Sequence, residues 1–236
     1  MLISHRHRFA FVHVPKTAGS SVAFGLWPHA DHVDHYWANR WLGRVGIRVN
    51  HYAPYRLKKF RTHTPAAILQ RELPADVFAD LFKFTVVRNP WDRLVSSYHY
   101  LRQKAGHHRG RLARRLRSFA DYAAYEMHRD KMSQTAMLTG PDGRLLVDFV
   151  GRFESLADDF TFICRVLDLE ASLPRANTTR HADYRTFYDD RLAAEVGRFC
   201  AADIERFGYA FDDAAAPPRR RPAPAPLPGD GLRRVA

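Results

Sequence analysis

The chain has 236 residues, of which 46% are hydrophobic and 13% aromatic, so it can bury a substantial core as one large domain or two small ones, and a disordered chain is excluded. Its 37 Lys and Arg outnumber 25 Asp and Glu, which gives a net charge of +12 and favours anionic partners such as nucleic acid, a glycan, a phosphorylated cofactor or a lipid surface. Only two cysteines occur, without C-x-x-C spacing, which argues against a disulfide framework and a cysteine-bound metal. No segment approaches the ~20 apolar residues of a membrane span and no secretory signal is evident, so we expect a cytoplasmic protein.

The first element is a strand followed by a helix. Residues 9–14 are almost continuously apolar, which is typical of a buried parallel strand. Pro15 cannot extend a sheet ladder, so the strand should stop there. Ser20 or Ser21 can cap a helix that continues through Leu26.

The turn between these elements has the features of an anion site. Gly19 lets the backbone approach a ligand closely, the helix N-terminus offers N–H groups to an anion, and Lys16 adds a full positive charge. The pattern differs from the common nucleotide-binding loop, in which Lys lies at the helix end. The alternative is an ordinary turn with a solvated lysine.

A second strand, residues 81–87, leads into a similar turn. Asn89 is a natural N-cap and Pro90 suits the first helical position. Arg88 stands at the end of this strand, and Ser96 follows about two turns into the next helix. The chain therefore repeats the order of strand, polar turn and helix N-terminus.

The rest of the chain is mainly of helical pattern. The expected elements are an aromatic segment without clear periodicity at 27–63, helices at 64–73 (with Thr64 as N-cap), 118–139, 155–169 and 189–207, and a short strand within 145–154. Residues 214–236 are rich in Pro, Ala and Arg and should form a solvated tail. We therefore expect one domain over residues 1–213 and a disordered tail over 214–236.

Residues 102–117 form a basic segment with seven Lys or Arg and no acid. Such a run is usually a solvated helix face, and the alternative is a surface that receives an anionic acceptor.

Two segments resemble the PAPS-dependent sulfotransferases, most nearly the carbohydrate enzymes of the Golgi type and their bacterial relatives. The sequence PKTAGSS at 15–21 is similar to their 5′-phosphosulfate loop, and RNPWDRLVSSY at 88–98 is similar to their 3′-phosphate motif. The likeness extends over about residues 8–211. It implies a three-layer α/β/α fold with a central parallel sheet, related to the P-loop kinases.

The resemblance also implies a reaction and a set of site residues. A sulfuryl group would pass in line from PAPS to an acceptor hydroxyl, without a metal ion, and Lys16 would be catalytic. PAPS would bind to Lys16, Thr17, Ala18, Gly19, Ser20 and Ser21 through its phosphosulfate and to Arg88 and Ser96 through its 3′-phosphate. This prediction requires Lys16 and Arg88 to lie close enough to contact one molecule.

The acceptor hydroxyl also needs a general base, for which histidine is well suited near neutral pH. His63 is our candidate, because it looks like the histidine segment between the two motifs in glycan sulfotransferases, and the alternative is a surface or capping histidine. His13 ranks below it, since its side chain should point into the sheet packing. Lesser candidates are His51, Glu154 and Asp92.

Two other functions are compatible with parts of the sequence. A P-loop-like nucleotide or sugar kinase would use the first turn but would not need a second phosphate site. A non-catalytic nucleic-acid-binding protein would use the basic segment and the tail. Under the sulfotransferase interpretation we expect a glycan or glycolipid acceptor, with an anionic one favoured by the basic segment. Peripheral membrane association is compatible with it, and a stable nucleic-acid partner is not expected.

Overall fold

The computed structural model of the chain describes residues 1–31, 60–104, 106–129, 132–174 and 182–212. In these residues four strands form one sheet and are joined by α-helices and single turns of 3₁₀-helix. The strands are β1 (Leu2–Ser4), β2 (Phe9–Val12), β3 (Phe82–Val87) and β4 (Phe149–Arg152). The α-helices are α1 (Gly19–Leu26), α2 (Ala66–Glu72), α3 (Ala75–Asp80), α4 (Pro90–Gln103), α5 (His108–Arg115), α6 (Phe119–His128), α7 (Thr135–Leu138), α8 (Leu156–Val166), α9 (Asp190–Phe199) and α10 (Ala201–Phe207).

The sheet is mixed rather than wholly parallel. Its order is β1-β2-β3-β4, with β2, β3 and β4 parallel and β1 antiparallel to β2. The predicted parallel sheet is therefore correct for three strands and wrong for the edge. Strand β1 reverses into β2 through a short turn in which Arg8 has a φ of 49°, and only an antiparallel pair can be joined by so short a connection.

Apolar side chains alternate between the two faces of the sheet. On one face, Phe9, Phe11 and Phe84 pack in a buried cluster with residues of α1 and α8. On the other face, Ala10 packs with Leu69 of α2. Helices therefore cover both faces, and a third buried cluster joins α4, α6 and α9.

The beginning of α1 differs from the sequence expectation. Its N-cap is Ala18, in the left-handed region at φ 60°, and no side chain caps the helix. The predicted caps Ser20 and Ser21 are instead within the first turn of the helix. The helix thus begins two to three residues earlier than predicted, which brings the first helical amides nearer to β2.

The second turn follows the prediction. The Asn89 side chain accepts hydrogen bonds from the N–H groups of Trp91 (3.0 Å) and Asp92 (3.4 Å), and Pro90 is the first residue of α4. Both features were expected from the Asn-Pro sequence, because each supports a helix start for its own local reason.

Other boundaries shift because local breaks interrupt the helical pattern. The expected helix at 64–73 begins at Ala66 with Pro65 as N-cap, so Thr64 lies outside it and its hydroxyl donates to the Arg61 carbonyl at 3.0 Å. The expected helix at 118–139 is divided into α6 and α7, and that at 189–207 is divided into α9 and α10 at Cys200.

Several predictions fall outside the described residues. Most of the aromatic segment at 27–63, including His51, and the tail at 214–236 belong to this group. Across the part of the chain that the structure describes, no helix has both the length and the apolar composition that crossing a membrane requires.

Candidate functional site

The two polar turns meet because the strands that lead into them are neighbours. Strands β2 and β3 are parallel, with Val12 opposite Thr85, so both strands end at the same edge of the sheet. The Thr85 hydroxyl donates to the Val12 carbonyl at 2.7 Å and fixes the two ends together. The N-termini of α1 and α4 therefore open onto one region, where ligands of parallel sheets usually bind.

A cavity of about 620 Å³ occupies this region, a size suited to a nucleotide-sized ligand. The turn between β2 and α1, residues 96–101 of α4 and the segment that leads into α5 line most of it. Among the described lining residues four are Lys or Arg and none is Asp or Glu, so the cavity is suited to an anion. The four cationic residues are Lys16, Arg88, Lys104 and Arg109.

The turn between β2 and α1 has an unusual backbone. Lys16 has a φ of 68° and Ala18 a φ of 60°, a left-handed region that side chains other than glycine rarely adopt. Between them Thr17 is fully buried and its hydroxyl donates to the Val14 carbonyl at 2.9 Å. This bond holds the turn in its strained form, and strain of this kind is typical of functional sites.

The Lys16 side chain is packed against α4. Its Nζ lies 3.9 Å from the centre of the Tyr100 ring, a cation–π contact. Burial, together with the positive charges of Arg88 and Lys104, lowers the pKa of Lys16 to about 8. A lysine in this state loses little hydration on meeting an anion, because most of its water is already removed.

Arg88 joins the two turns. Its guanidinium binds the Asp92 carboxylate at 2.7 and 2.8 Å, lies 3.8 Å from the centre of the Phe153 ring, and donates from Nη1 to the Lys16 carbonyl at 3.4 Å. Lys16 and Arg88 therefore lie close enough to contact one ligand, as the two-motif prediction requires.

His63 lines the cavity and is exposed. Its Nδ1 lies 2.9 Å from the carbonyl oxygen of His13. Because a carbonyl oxygen can only accept, Nδ1 is the protonated nitrogen in this bond, and the lone pair of a neutral ring is then on Nε2. The geometry thus gives His63 the tautomer that a general base needs.

His13 is not only part of the sheet packing. Its ring stacks on Phe11, meets the edge of the His63 ring at 4.6 Å and also lines the cavity. A methyl group on Gly19 would overlap the His13 ring, so the absence of a side chain at Gly19 permits this contact. Burial and the neighbouring His63 lower the pKa of His13 to about 3, which keeps the ring neutral.

The structure brings together most, but not all, of the predicted site residues. Lining the cavity are Lys16, Ala18, Gly19, Ser20, Ser21, His63, Arg88 and Ser96. Thr17 is outside the lining set. Glu154 and Asp92 are committed to other contacts, since Glu154 accepts from the Asn89 N–H at 2.7 Å and from the Tyr209 hydroxyl at 3.0 Å.

Tyr100 and Lys104 are among the lining residues that the sequence motifs do not predict. Tyr100 and Lys104 follow Ser96 at steps of four residues, which places Ser96 and Tyr100 on one face of α4 and Lys104 directly after its end. That spacing was the available signal. The high density of Lys and Arg in residues 102–117 hides this spacing, because Lys104 looks like part of a separate basic surface.

A metal centre is not evident in the described residues, where no group of three or more His, Cys, Asp or Glu has an arrangement suited to a metal ion.

Comparison with known proteins gives one family. A family model described as "Sulfotransferase family" matches residues 1–210, a range that includes both polar turns and all four strands. Neither the curated proteins nor the solved structures contain a match to this chain.

Proposed function

Since the chain belongs to the sulfotransferase family, we propose that the cavity binds PAPS and that the enzyme transfers its sulfuryl group to a hydroxyl of a glycan or glycolipid. The observation that carries this proposal is the meeting of Lys16 and Arg88 at one cavity, with Nη1 of Arg88 bonded to the Lys16 carbonyl. A donor with anionic groups at both ends of its ribose needs two such cations. A cytoplasmic location belongs to the same proposal.

The residues present fit this donor. The cavity has the volume for an adenosine bisphosphate, and its described lining carries positive but no negative side chains. The amides at the start of α1 and the ammonium of Lys16 suit the phosphosulfate. The guanidinium of Arg88 and the hydroxyl of Ser96, which is 2% exposed and lines the same cavity, suit the 3′-phosphate.

Transfer would proceed by a single displacement. The acceptor oxygen forms a bond to sulfur while the bond from sulfur to the bridging phosphate oxygen breaks, and adenosine 3′,5′-bisphosphate leaves with that electron pair. Lys16 stabilises the charge that grows on the bridging oxygen, and Nε2 of His63 takes the acceptor proton. The sulfuryl group carries less charge than a phosphoryl group, so we propose transfer without a metal ion.

The acceptor would enter beside the basic part of the cavity. Lys104, His107 and Arg109 line it there, and Arg109 is held by an ion pair with Glu126. Positive charge at this position favours a glycan with an acidic group near the reacting hydroxyl.

The proposal is tested by donor binding and transfer. Binding of adenosine 3′,5′-bisphosphate would be measured by calorimetry, and transfer would be followed with radiolabelled PAPS and a panel of glycans and glycolipids. We expect Lys16→Ala and Arg88→Ala each to lower affinity by about 10²-fold, because each removes a charged partner of a buried anion. The matched control is Arg71→Ala, since Arg71 is exposed and paired with Glu72. Stabilisation by ATP with Mg²⁺ but not by the bisphosphate would instead support a kinase.

The role of His63 is separable from binding. We expect His63→Ala to retain affinity for adenosine 3′,5′-bisphosphate and to lower turnover on the order of 10²–10⁴-fold, the usual contribution of a general base. His128→Ala is the control, because His128 is also exposed but does not line the cavity. Wild-type turnover in His63→Ala would remove His63 from the mechanism.

A further inference from the structure

Gln134 is a buried amide that binds the backbone of Arg88 on both sides. Its Oε1 accepts from the Arg88 N–H at 3.1 Å, and its Nε2 donates to the Arg88 carbonyl at 2.8 Å. Gln134 has no exposed surface, and it does not line the cavity. The Gln134 side chain therefore satisfies both the N–H and the carbonyl group of Arg88, and the two hydrogen bonds fix the position and orientation of the Arg88 backbone.

Arg88 needs such a partner because the sheet ends just before it. The last paired residue of β3 is Val87, opposite Arg152 of β4, and α4 begins only at Pro90. The backbone of Arg88 thus lies between the ladder of the sheet and the first turn of the helix. Buried backbone groups in this position need a partner outside the sheet ladder, and the Gln134 side chain provides it.

Gln134 is itself held firmly. Asp203 of α10, which is 1% exposed, accepts from the N–H groups of Gln134 and Thr135, both at 2.8 Å. The chain of contacts runs from α10 through Asp203 and Gln134 to Arg88. Each of these bonds joins segments that are distant in sequence.

We propose that Gln134 is a positioning residue for the 3′-phosphate site. It sets the place from which the Arg88 side chain extends, and Asp92 and Phe153 then orient the guanidinium toward the cavity. The inference rests on the proposed function, because it takes the 3′-phosphate of the donor as the group that Arg88 binds. Gln134 does not touch the donor and acts only through Arg88.

The test compares two ligands that differ by one group. Adenosine 3′,5′-bisphosphate and adenosine 5′-monophosphate share everything except the 3′-phosphate. The affinity for the bisphosphate divided by the affinity for the monophosphate therefore measures the 3′-phosphate site alone. We expect Gln134→Met, which has a similar shape and no hydrogen-bonding amide, to lower this ratio about ten- to a hundredfold, since small displacements of a binding group have effects of this size. Binding of the monophosphate should change far less.

A second variant and a control complete the experiment. Gln134→Glu keeps the acceptor for the Arg88 N–H, so its ratio should lie between those of the wild type and Gln134→Met, and it also serves if Gln134→Met does not fold. Lys83→Met is the control, because Lys83 is buried at the opposite end of β3, where Nζ donates to the carbonyls of Leu81 (2.6 Å) and Phe78 (3.2 Å). It should lower the free energy of unfolding but leave the ratio unchanged.

The outcomes separate the two proposals. If the wild type does not prefer the bisphosphate, the proposed function is wrong. If the wild type prefers it and both Gln134 variants keep the full preference, the function stands and the role of Gln134 is overturned. An equal decrease of the affinity ratio in Lys83→Met would also overturn the role of Gln134, because general destabilisation of the protein would then explain the effect.

Discussion

At the scale of single residues, Lys16 combines three conditions that make it suited to bind a donor. Its backbone is left-handed at φ 68°, its ammonium lies over the Tyr100 ring at 3.9 Å, and its pKa is lowered to about 8. The residue is thus charged at neutral pH but close to losing its proton. The Tyr100 contact holds the ammonium near the two turns without neutralising it.

The lowered pKa predicts a pH dependence of donor binding. The charged form of Lys16 predominates below pH 8 and is lost as pH rises through that value. We expect affinity for adenosine 3′,5′-bisphosphate to fall about twentyfold between pH 7.5 and 9.5, with proton uptake on binding in that range. Calorimetry in buffers of different ionisation enthalpy measures both quantities. Lys16→Arg should bind with a flat profile over the same range, and an unchanged wild-type affinity would contradict the prediction.

At the scale of elements, the start of α4 is tied to the end of the described chain. The Asn89 side chain caps α4 and also donates to the Ala210 carbonyl at 3.0 Å and to the Tyr184 hydroxyl at 3.4 Å. Its N–H donates to Glu154, which in turn accepts from Tyr209. The helix that carries Ser96 and Tyr100 is therefore anchored at its N-cap by three other segments of the chain.

Loss of this anchor should cost more than loss of an ordinary cap. Asn89→Ala removes the cap and leaves buried polar groups without partners, so we expect the free energy of unfolding to fall by about 2–4 kcal/mol. The matched control is Asp189→Ala, since Asp189 caps α9 at an exposed site through the Leu192 N–H at 2.7 Å, and there about 1 kcal/mol is expected. Urea denaturation measures both. Equal losses would show that the bonds to Ala210 and Tyr184 add nothing.

The two strand–turn–helix units could be predicted from sequence because their signals are local. The apolar run predicts strand β2 from neighbouring residues alone, although the strand ends at Val12 and not at Pro15 as predicted, and the Asn89-Pro90 pair determines the start of α4. The contacts of Gln134 with Arg88, and of His13 with Gly19, could not be predicted, because they depend on how separate segments pack. Strand β1 was missed since three residues are too few to show a period.

At the scale of the whole molecule, one buried histidine links stability to pH. His13 is 7% exposed and packs between Phe11, Gly19 and His63, and its pKa is lowered to about 3 in the folded state. In the unfolded chain it would titrate near its ordinary value of 6.5. The unfolded state therefore binds one more proton than the folded state between these two values, and the folded protein loses stability as pH falls through that range.

We predict that the free energy of unfolding depends more steeply on pH in the wild type than in His13→Phe. Between pH 6 and pH 4 the wild type should lose up to about 1.4 kcal/mol of unfolding free energy per pH unit through His13. His13→Phe keeps an aromatic ring but cannot be protonated, so its stability should decrease less steeply over the same interval. Urea denaturation at several pH values provides the slopes. If the unfolding free energies of the two proteins changed equally with pH, His13 would not take up a proton when the chain unfolds.

The adjacency of β2 and β3 has a consequence for selectivity. Backbone hydrogen bonds keep neighbouring strands about 4.8 Å apart, and Lys16 and Arg88 follow the ends of these two strands. The backbones of the two residues are thus held near each other by the sheet, and the contacts with Tyr100, Asp92 and Phe153 set where the two cationic groups lie. Isomers of the donor would be told apart by where their second phosphate falls relative to the interval between these two groups, and a substitution that displaces Arg88 would change which isomer is preferred.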